Sequence, residues 1–147
     1  TVISDHGTVS KSPDQGFYTY GQEVVLTATA DPGWTFVDWS GDATGSENPV
    51  TINITGDLTV TANYSQDEYT LTVISDHGDY DISPVQATYH YGDVVTITLI
   101  PAVDWYFVGW SGDASGVANP LILTIVGDME ITAVYGQNRI FLPLITR

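Results

Sequence analysis

Apolar and polar residues alternate with a period of two along almost the whole chain, and no window sustains a helical period. The alternation predicts short strands separated by turns. Val2–Ser4 reads as the first strand and Thr8–Lys11 as the second, joined by a turn at Asp5-His6-Gly7 that expects a positive φ at the glycine. Phe17–Tyr20 and Glu23–Ala30 read as a hairpin about Tyr20-Gly21-Gln22, with Val24, Leu26 and Ala28 on one face and Val25, Thr27 and Thr29 on the other. Asp31-Pro32-Gly33 is a turn signal. Trp34–Trp39 follows as an aromatic anchor strand. Strict alternation there puts Trp39 on the face of Val37, as a buried anchor would lie, and Trp34 on the face of Phe36, and either face could be the core. Val50–Thr55 comes after Pro49, and Gly56-Asp57 turns the chain into Leu58–Tyr64.

The whole pattern then returns. Phe36-Val37-Asp38-Trp39-Ser40-Gly41-Asp42-Ala43 recurs as Phe107-Val108-Gly109-Trp110-Ser111-Gly112-Asp113-Ala114, a shift of 71 positions. The same shift sets Val2 on Val73, Tyr20-Gly21 on Tyr91-Gly92, Asn48-Pro49 on Asn119-Pro120 and Tyr64 on Tyr135. Roughly half of the positions are identical without a gap, which marks an internal repeat. The chain therefore divides into one module over 1–65, a second over 66–136 and a carboxy-terminal strand over 137–147. The fold class that follows is all-β: two small tandem β-sandwich-like modules in a rod, or β-grasp-like ones without a clear helix. Each module is near the lower size limit for an independent core. The turn at Pro101-Ala102-Val103-Asp104 stands for Ala30-Asp31-Pro32-Gly33 without its glycine and is expected to change shape.

Charge narrows the partners. The 147 residues hold 18 acidic and 3 basic side chains, a net charge of −15, which repels phosphate backbones and anionic lipid and excludes nucleic acid and membrane insertion from the reading. Every acid lies at or before Glu130, whereas Arg139 and Arg147 bracket the last segment. With no cysteine there is no disulfide and no thiolate metal site, and no apolar run approaches the ~20 residues of a membrane-spanning helix. Such a composition fits an exported, extracellular bacterial protein. The repeat shift places Glu68-Tyr69-Thr70-Leu71 ahead of Thr1, so Thr1 is read as a processed end and Thr1, Val2 and Ile3 as a first strand cut short.

Tyr69-Thr70-Leu71-Thr72-Val73, Tyr91-Gly92-Asp93-Val94-Val95-Thr96-Ile97-Thr98, the Gly109-Trp110-Ser111-Gly112-Asp113 core with Asn119-Pro120-Leu121, and Ile131-Thr132-Ala133-Val134-Tyr135 resemble the divergent branch of the internalin B-repeats. The resemblance covers Thr1–Tyr64 and Tyr69–Tyr135, with Asp38 standing where the pattern has glycine before Trp39. It implies an exported bacterial surface protein whose all-β or β-grasp-like repeats act as spacers and as adhesive or structural modules. It carries over no catalytic residue.

The tail reads as the first strand of a third module, because the shift sets Ile140 on Tyr69, Leu142 on Leu71, Leu144 on Val73 and Ile145 on Ile74. Ile140, Leu142 and Leu144 form one face and Phe141, Pro143 and Ile145 the other; strands apolar on both faces are normally buried on both sides. Burying five large apolar side chains contributes about 8–15 kcal/mol, and ordering about eight residues costs about 8–16 kcal/mol. Side-chain burial alone roughly breaks even, so a paired sheet edge is the natural destination. The tail either turns back at Gly136-Gln137-Asn138 as a cap or adds a strand to the next molecule. In the second mode Arg139, Ile140, Phe141, Leu142, Pro143, Leu144 and Ile145 meet Thr1, Val2 and Ile3 of a neighbour, and head-to-tail repetition without closure makes a filament.

Candidate chemistry is sparse. Ser4-Asp5-His6 and Ser75-Asp76-His77 hold the residue types of a hydrolase triad, but sequence neighbours on a strand point to opposite faces and cannot form the relay. Asp42 and Asp113 lack the dense oxygen spacing of a calcium loop and read as turn-closing acceptors. Trp34 and Trp105 are the candidates for stacking on host or matrix glycans, weighed against plain packing. Asn53-Ile54-Thr55 and Asn63-Tyr64-Ser65 match glycosylation acceptors that the second module lacks. The reading is a non-enzymatic, extracellular structural protein without cofactor or metal, a filament subunit whose partner is itself. The alternative is an adhesion or glycan-binding module with the tail as a cap.

Overall fold

Val, Ile, Thr and aromatic residues fill the alternating positions and favour a pleated, half-buried backbone. A computed structural model describes residues 1–138, and the expectations for Arg139–Arg147 fall outside the described residues. Among the described residues there are strands and no helix. The chain divides into two compact units, Thr1–Asp67 and Glu68–Arg147.

The first unit holds β1 (Val2–Ser4), β2 (Gly7–Ser12), β3 (Glu23–Ala30), β4 (Trp34–Gly41), β5 (Val50–Asn53) and β6 (Val60–Gln66). They form two three-stranded sheets, ordered β1-β6-β4 and β2-β3-β5. The second unit repeats this with β7 (Leu71–Ile74), β8 (Gly78–Ser83), β9 (Val94–Pro101), β10 (Trp105–Gly112), β11 (Leu121–Thr124) and β12 (Met129–Gln137), in sheets β10-β12-β7 and β11-β9-β8. In each unit the first strand lies parallel to the last, Val2 beside Val60 and Val73 beside Ile131, and the other pairings are antiparallel.

Buried residues from both sheets of a unit meet in one cluster, so each unit is a small two-layer sandwich. Val24, Leu26 and Ala28 of β3 pack with Trp39, Val60 and Ala62 in the first; Val95, Ile97 and Leu99 of β9 pack with Trp110, Ile131 and Ala133 in the second. The predicted division of β3 into two faces therefore holds, and Val24, Leu26 and Ala28 form the buried one. Cis peptide bonds precede Pro13, Pro49, Pro84 and Pro120.

Several local expectations are corrected. Phe17–Tyr20 is not a strand; Tyr18 instead ties this loop, its hydroxyl donating to the Pro13 carbonyl at 3.0 Å and accepting the Gln15 amide at 3.2 Å, and β3 pairs with β2 and β5. In β4 and β10 a bulge between Phe36 and Asp38, and between Phe107 and Gly109, breaks the alternation. Phe36 and Trp39 thereby face the same core, while Val37 and Val108 are turned out, 45% and 46% exposed. The turn lacking glycine keeps its shape, because Asp104 adopts φ 68° where Gly33 has 80°. Gly7 and Gly78 are needed for close approach rather than for a positive φ: a Cβ on Gly78 would lie 2.6 Å from the Ile100 carbonyl oxygen. Gly136 and Gln137 continue β12 opposite Tyr106 and Trp105, so there is no turn at Gly136-Gln137-Asn138.

Candidate assembly and recognition surfaces

The turns that hold the strands absorb most of the residues with chemical potential. Ser4 Oγ donates to the Gly7 carbonyl at 2.8 Å and is 3.0 Å from the Tyr64 hydroxyl; Ser75 repeats this with Gly78 at 2.8 Å and Tyr135 at 2.6 Å. The neighbouring histidines go elsewhere. His6 lies flat on Trp34 with ring centroids 3.5 Å apart and 2° between planes, and His77 on Trp105 at 3.5 Å and 8°. Each serine is thus engaged by a carbonyl and a tyrosine hydroxyl and each histidine by a tryptophan face, His77 also lying edge-on to Tyr135 at 6.1 Å. No serine–histidine hydrogen bond of a catalytic relay is formed among the described residues. The stack also covers one face of each indole, although Trp34 and Trp105 stay partly exposed.

Asp42 and Asp113 close turns, accepting the amides of Thr59 at 2.6 Å and Glu130 at 2.8 Å. Asp128 accepts the Thr70 amide at 2.8 Å and its hydroxyl at 3.0 Å, and the backbone bond first, then the hydroxyl, hold its carboxyl below the ordinary range. Among the described residues no group of three or more His, Asp or Glu side chains is arranged to hold a metal ion. Of the glycosylation matches, Asn53 is exposed, whereas Asn63 donates to Asp38 at 2.6 Å and Ser40 at 3.0 Å.

The asparagine before each loop proline has a role that composition hid. Asn119 donates to the Leu99 carbonyl at 3.1 Å and accepts the Leu99 amide at 2.8 Å, standing in for one more residue of β11; Asn48 does the same for Ala28, at 2.9 Å in both directions. Trp39 and Trp110, buried to 2% and 5% exposure, donate their indole N–H to Glu47 and Ala118 carbonyls in the same loops. The recurrence of Asn-Pro nine and ten residues beyond each Trp in the sequence was the available signal.

Of the residues expected at an assembly interface, Val2 packs on the first core, Ile3 points outward, and the Thr1 carbonyl accepts the Val60 amide at 3.0 Å. A groove of about 810 Å³, lined in part by Thr1, Val2, Lys11, Phe17, Tyr18 and Asp57, opens beside β1. At the other end, the Asn138 amide donates to the Asp104 carbonyl at 2.8 Å, repeating the bond from Asp67 to Gly33 at 2.9 Å that precedes β7. The chain therefore leaves the second unit by the same local path by which it leaves the first. Large exposed apolar residues are concentrated in the second unit: Val94, Tyr106, Ile122, Val126 and Val134 stand where the shift puts Glu23, Thr35, Thr51, Thr55 and Asn63 in the first. That exchange is readable in the sequence once the copies are aligned.

Comparison with known proteins gives a family-level match. A family model described as the divergent InlB B-repeat domain matches residues 1–68 and again 69–139. No curated protein and no solved structure matches the chain.

Proposed function

From the premise that the chain belongs to the divergent InlB B-repeat family, we propose that it is a non-enzymatic structural protein of the bacterial cell surface or its exterior, assembled head to tail by strand addition. Its family, a surface repeat, supports a structural or adhesive role outside the cell. The observation that carries the finer reading is the repeated exit: the Asn138–Asp104 bond copies the Asp67–Gly33 bond that precedes β7, and the residues that follow match β7 in pattern. Ile140–Ile145, apolar on both faces, gains most where a partner sheet satisfies its backbone. The partner in this reading is a second copy.

The test is to compare the full chain with one ending at Asn138 by sedimentation velocity and negative-stain microscopy over a range of concentrations. Concentration-dependent growth of the full chain and a monomeric shorter chain are expected. Equal assembly of both, or a full chain that stays monomeric throughout, overturns the reading.

Glycan recognition is the second reading, favoured by the partial exposure of Trp34 and Trp105 at matching places in both units. It ranks lower because His6 and His77 take up one face of each ring. Binding on a glycan array that disappears in Trp34→Ala and Trp105→Ala would reverse that order.

A further inference from the structure

A strand-adding tail needs a receiving edge, and the edges of these sheets are not equivalent. Exposed edges recruit extended strands unless charge, a bulge or a covering segment prevents it. β8 turns Asp79 and Asp81 to solvent, and β2 carries Lys11, paired with Asp14 at 3.1 Å. β4 and β10 are broken by their bulges and covered at Trp39 and Trp110 by bridges to Gly45 and Gly116. β5 shows Thr51 and Asn53 on its outer face, and β7 shows Thr72. β1 offers only Val2 and Ile3 before Ser4 and Asp5.

β11 is the least defended of these edges, with Ile122 beside the single polar Thr124 on its outer face. Leu121 and Leu123 are buried on its inner face while Ile122 is 70% exposed on the outer one. The run from Pro120 through Val126 contains no charged residue. Val126 is 57% exposed, and Val94, paired with Thr124 on the neighbouring β9, is 54% exposed. In the first unit the matching residues are Thr51, Thr55 and Glu23, so three of the five apolar exchanges of the second unit fall on or beside this edge, while Tyr106 and Val134 lie in the sheet β10-β12-β7.

We propose that β11 of the second unit is the edge that receives the tail of a second copy, Ile140–Ile145 extending the sheet β11-β9-β8. The proposal rests on the assembly reading above. A strand apolar on both faces matches an edge that is apolar inside and largely apolar outside: one side of the tail continues the inner surface of Leu121 and Leu123, the other the outer surface of Ile122, Thr124 and Val94. Charge assists the encounter with a second copy without selecting the edge. The tail has Arg139, Arg147 and no acid, whereas every acid of the chain precedes it, so approach of the tail to another copy is electrostatically assisted. Six extended residues span about 20 Å, enough to run past the four residues of β11. Pro143 fits where its missing N–H would point away from the ladder.

The experiment uses the full chain with Ile122→Lys, with Thr51→Lys as the matched control on β5, and with residues 139–147 deleted. Assembly is followed by sedimentation, and folding is checked by tryptophan fluorescence. Ile122→Lys should raise the concentration needed for half-assembly about tenfold or more, as edge lysines do, with Thr51→Lys unchanged. Since the chain has no cysteine, mixing Thr124→Cys chains with Thr146→Cys chains should give an oxidised heterodimer that Ile3→Cys with Thr146→Cys does not. If the deletion abolishes assembly while both lysine variants assemble alike, or if the Ile3 pair cross-links instead, β11 is the wrong edge and the assembly reading stands. A monomeric Thr124→Cys/Thr146→Cys double variant that closes within one chain also overturns the proposal, because the tail then caps its own unit. If the deletion leaves assembly intact, the assembly reading itself fails.

Discussion

Removing the Asn119 amide is the sharpest test of how the second unit is held together. Leu99 is almost fully buried, and its backbone amide and carbonyl are both satisfied by one side chain, at 2.8 and 3.1 Å. Asn119→Ala deletes both bonds. Two such bonds contribute about 1 kcal/mol each, and leaving buried backbone groups without partners would add more. Asn119 itself is exposed, so water reaches part of the gap, which sets the expected cost at about 1–3 kcal/mol. With an m-value of about 2 kcal/mol per molar urea, the unfolding midpoint should fall by roughly 0.5–1.5 M. Amide hydrogen exchange gives the local readout: Leu99 should lose protection first. Asn119→Asp keeps an acceptor for the Leu99 amide but turns a second oxygen toward the Leu99 carbonyl, so it should recover little of the loss. A cost below about 0.5 kcal/mol, with Leu99 exchanging as in the unaltered chain, would falsify the idea that the side chain substitutes for a strand residue.

Three further outcomes are expected. Asp104→Gly relieves a positive φ that costs a side-chain-bearing residue about 1–2 kcal/mol, offset in part by glycine's greater freedom when unfolded; a net gain of about 0.5 kcal/mol should raise the melting temperature by ~1–2 °C, and a fall would refute the strain. Gly78→Ala forces a Cβ to within 2.6 Å of the Ile100 oxygen and 2.9 Å of the Pro101 Cα, both backbone atoms, and should destabilise by about 1–3 kcal/mol in urea titration. Asp128, held below its ordinary value of 3.8 by Thr70, binds protons less readily folded than unfolded. Its contribution to stability is therefore full above pH 3.8 and lost as pH falls through the lower folded value. NMR titration should find Asp128 protonating at lower pH in the folded chain than in urea, and coincident midpoints would contradict this.

The division into two all-β copies was legible because alternation and repetition are properties of the chain itself: Val24, Leu26 and Ala28 declare a buried face, and a shift that preserves Trp, Gly-Asp and Asn-Pro declares a second copy. What alternation could not show was where it is interrupted. The bulges at Val37 and Val108 move Phe36 onto the face of Trp39, and a single extra residue inverts every inference about facing that follows it. The persistence of the glycine-less turn was hidden for a different reason. Asp tolerates the left-handed region well enough that the turn's own bond from the Trp105 amide to the Ala102 carbonyl and the long-range bond from the Asn138 amide to the Asp104 carbonyl decide the conformation. The histidine stacks on Trp34 and Trp105 join a turn residue to a strand far along the chain and leave no local pattern to read.

In both units the strand by which the chain enters and the strand by which it leaves are immediate neighbours pointing the same way. Tension applied along the polypeptide then drags the two past each other lengthwise, loading every rung of that ladder together instead of peeling them one at a time. A unit built this way yields late and abruptly when pulled by its two ends.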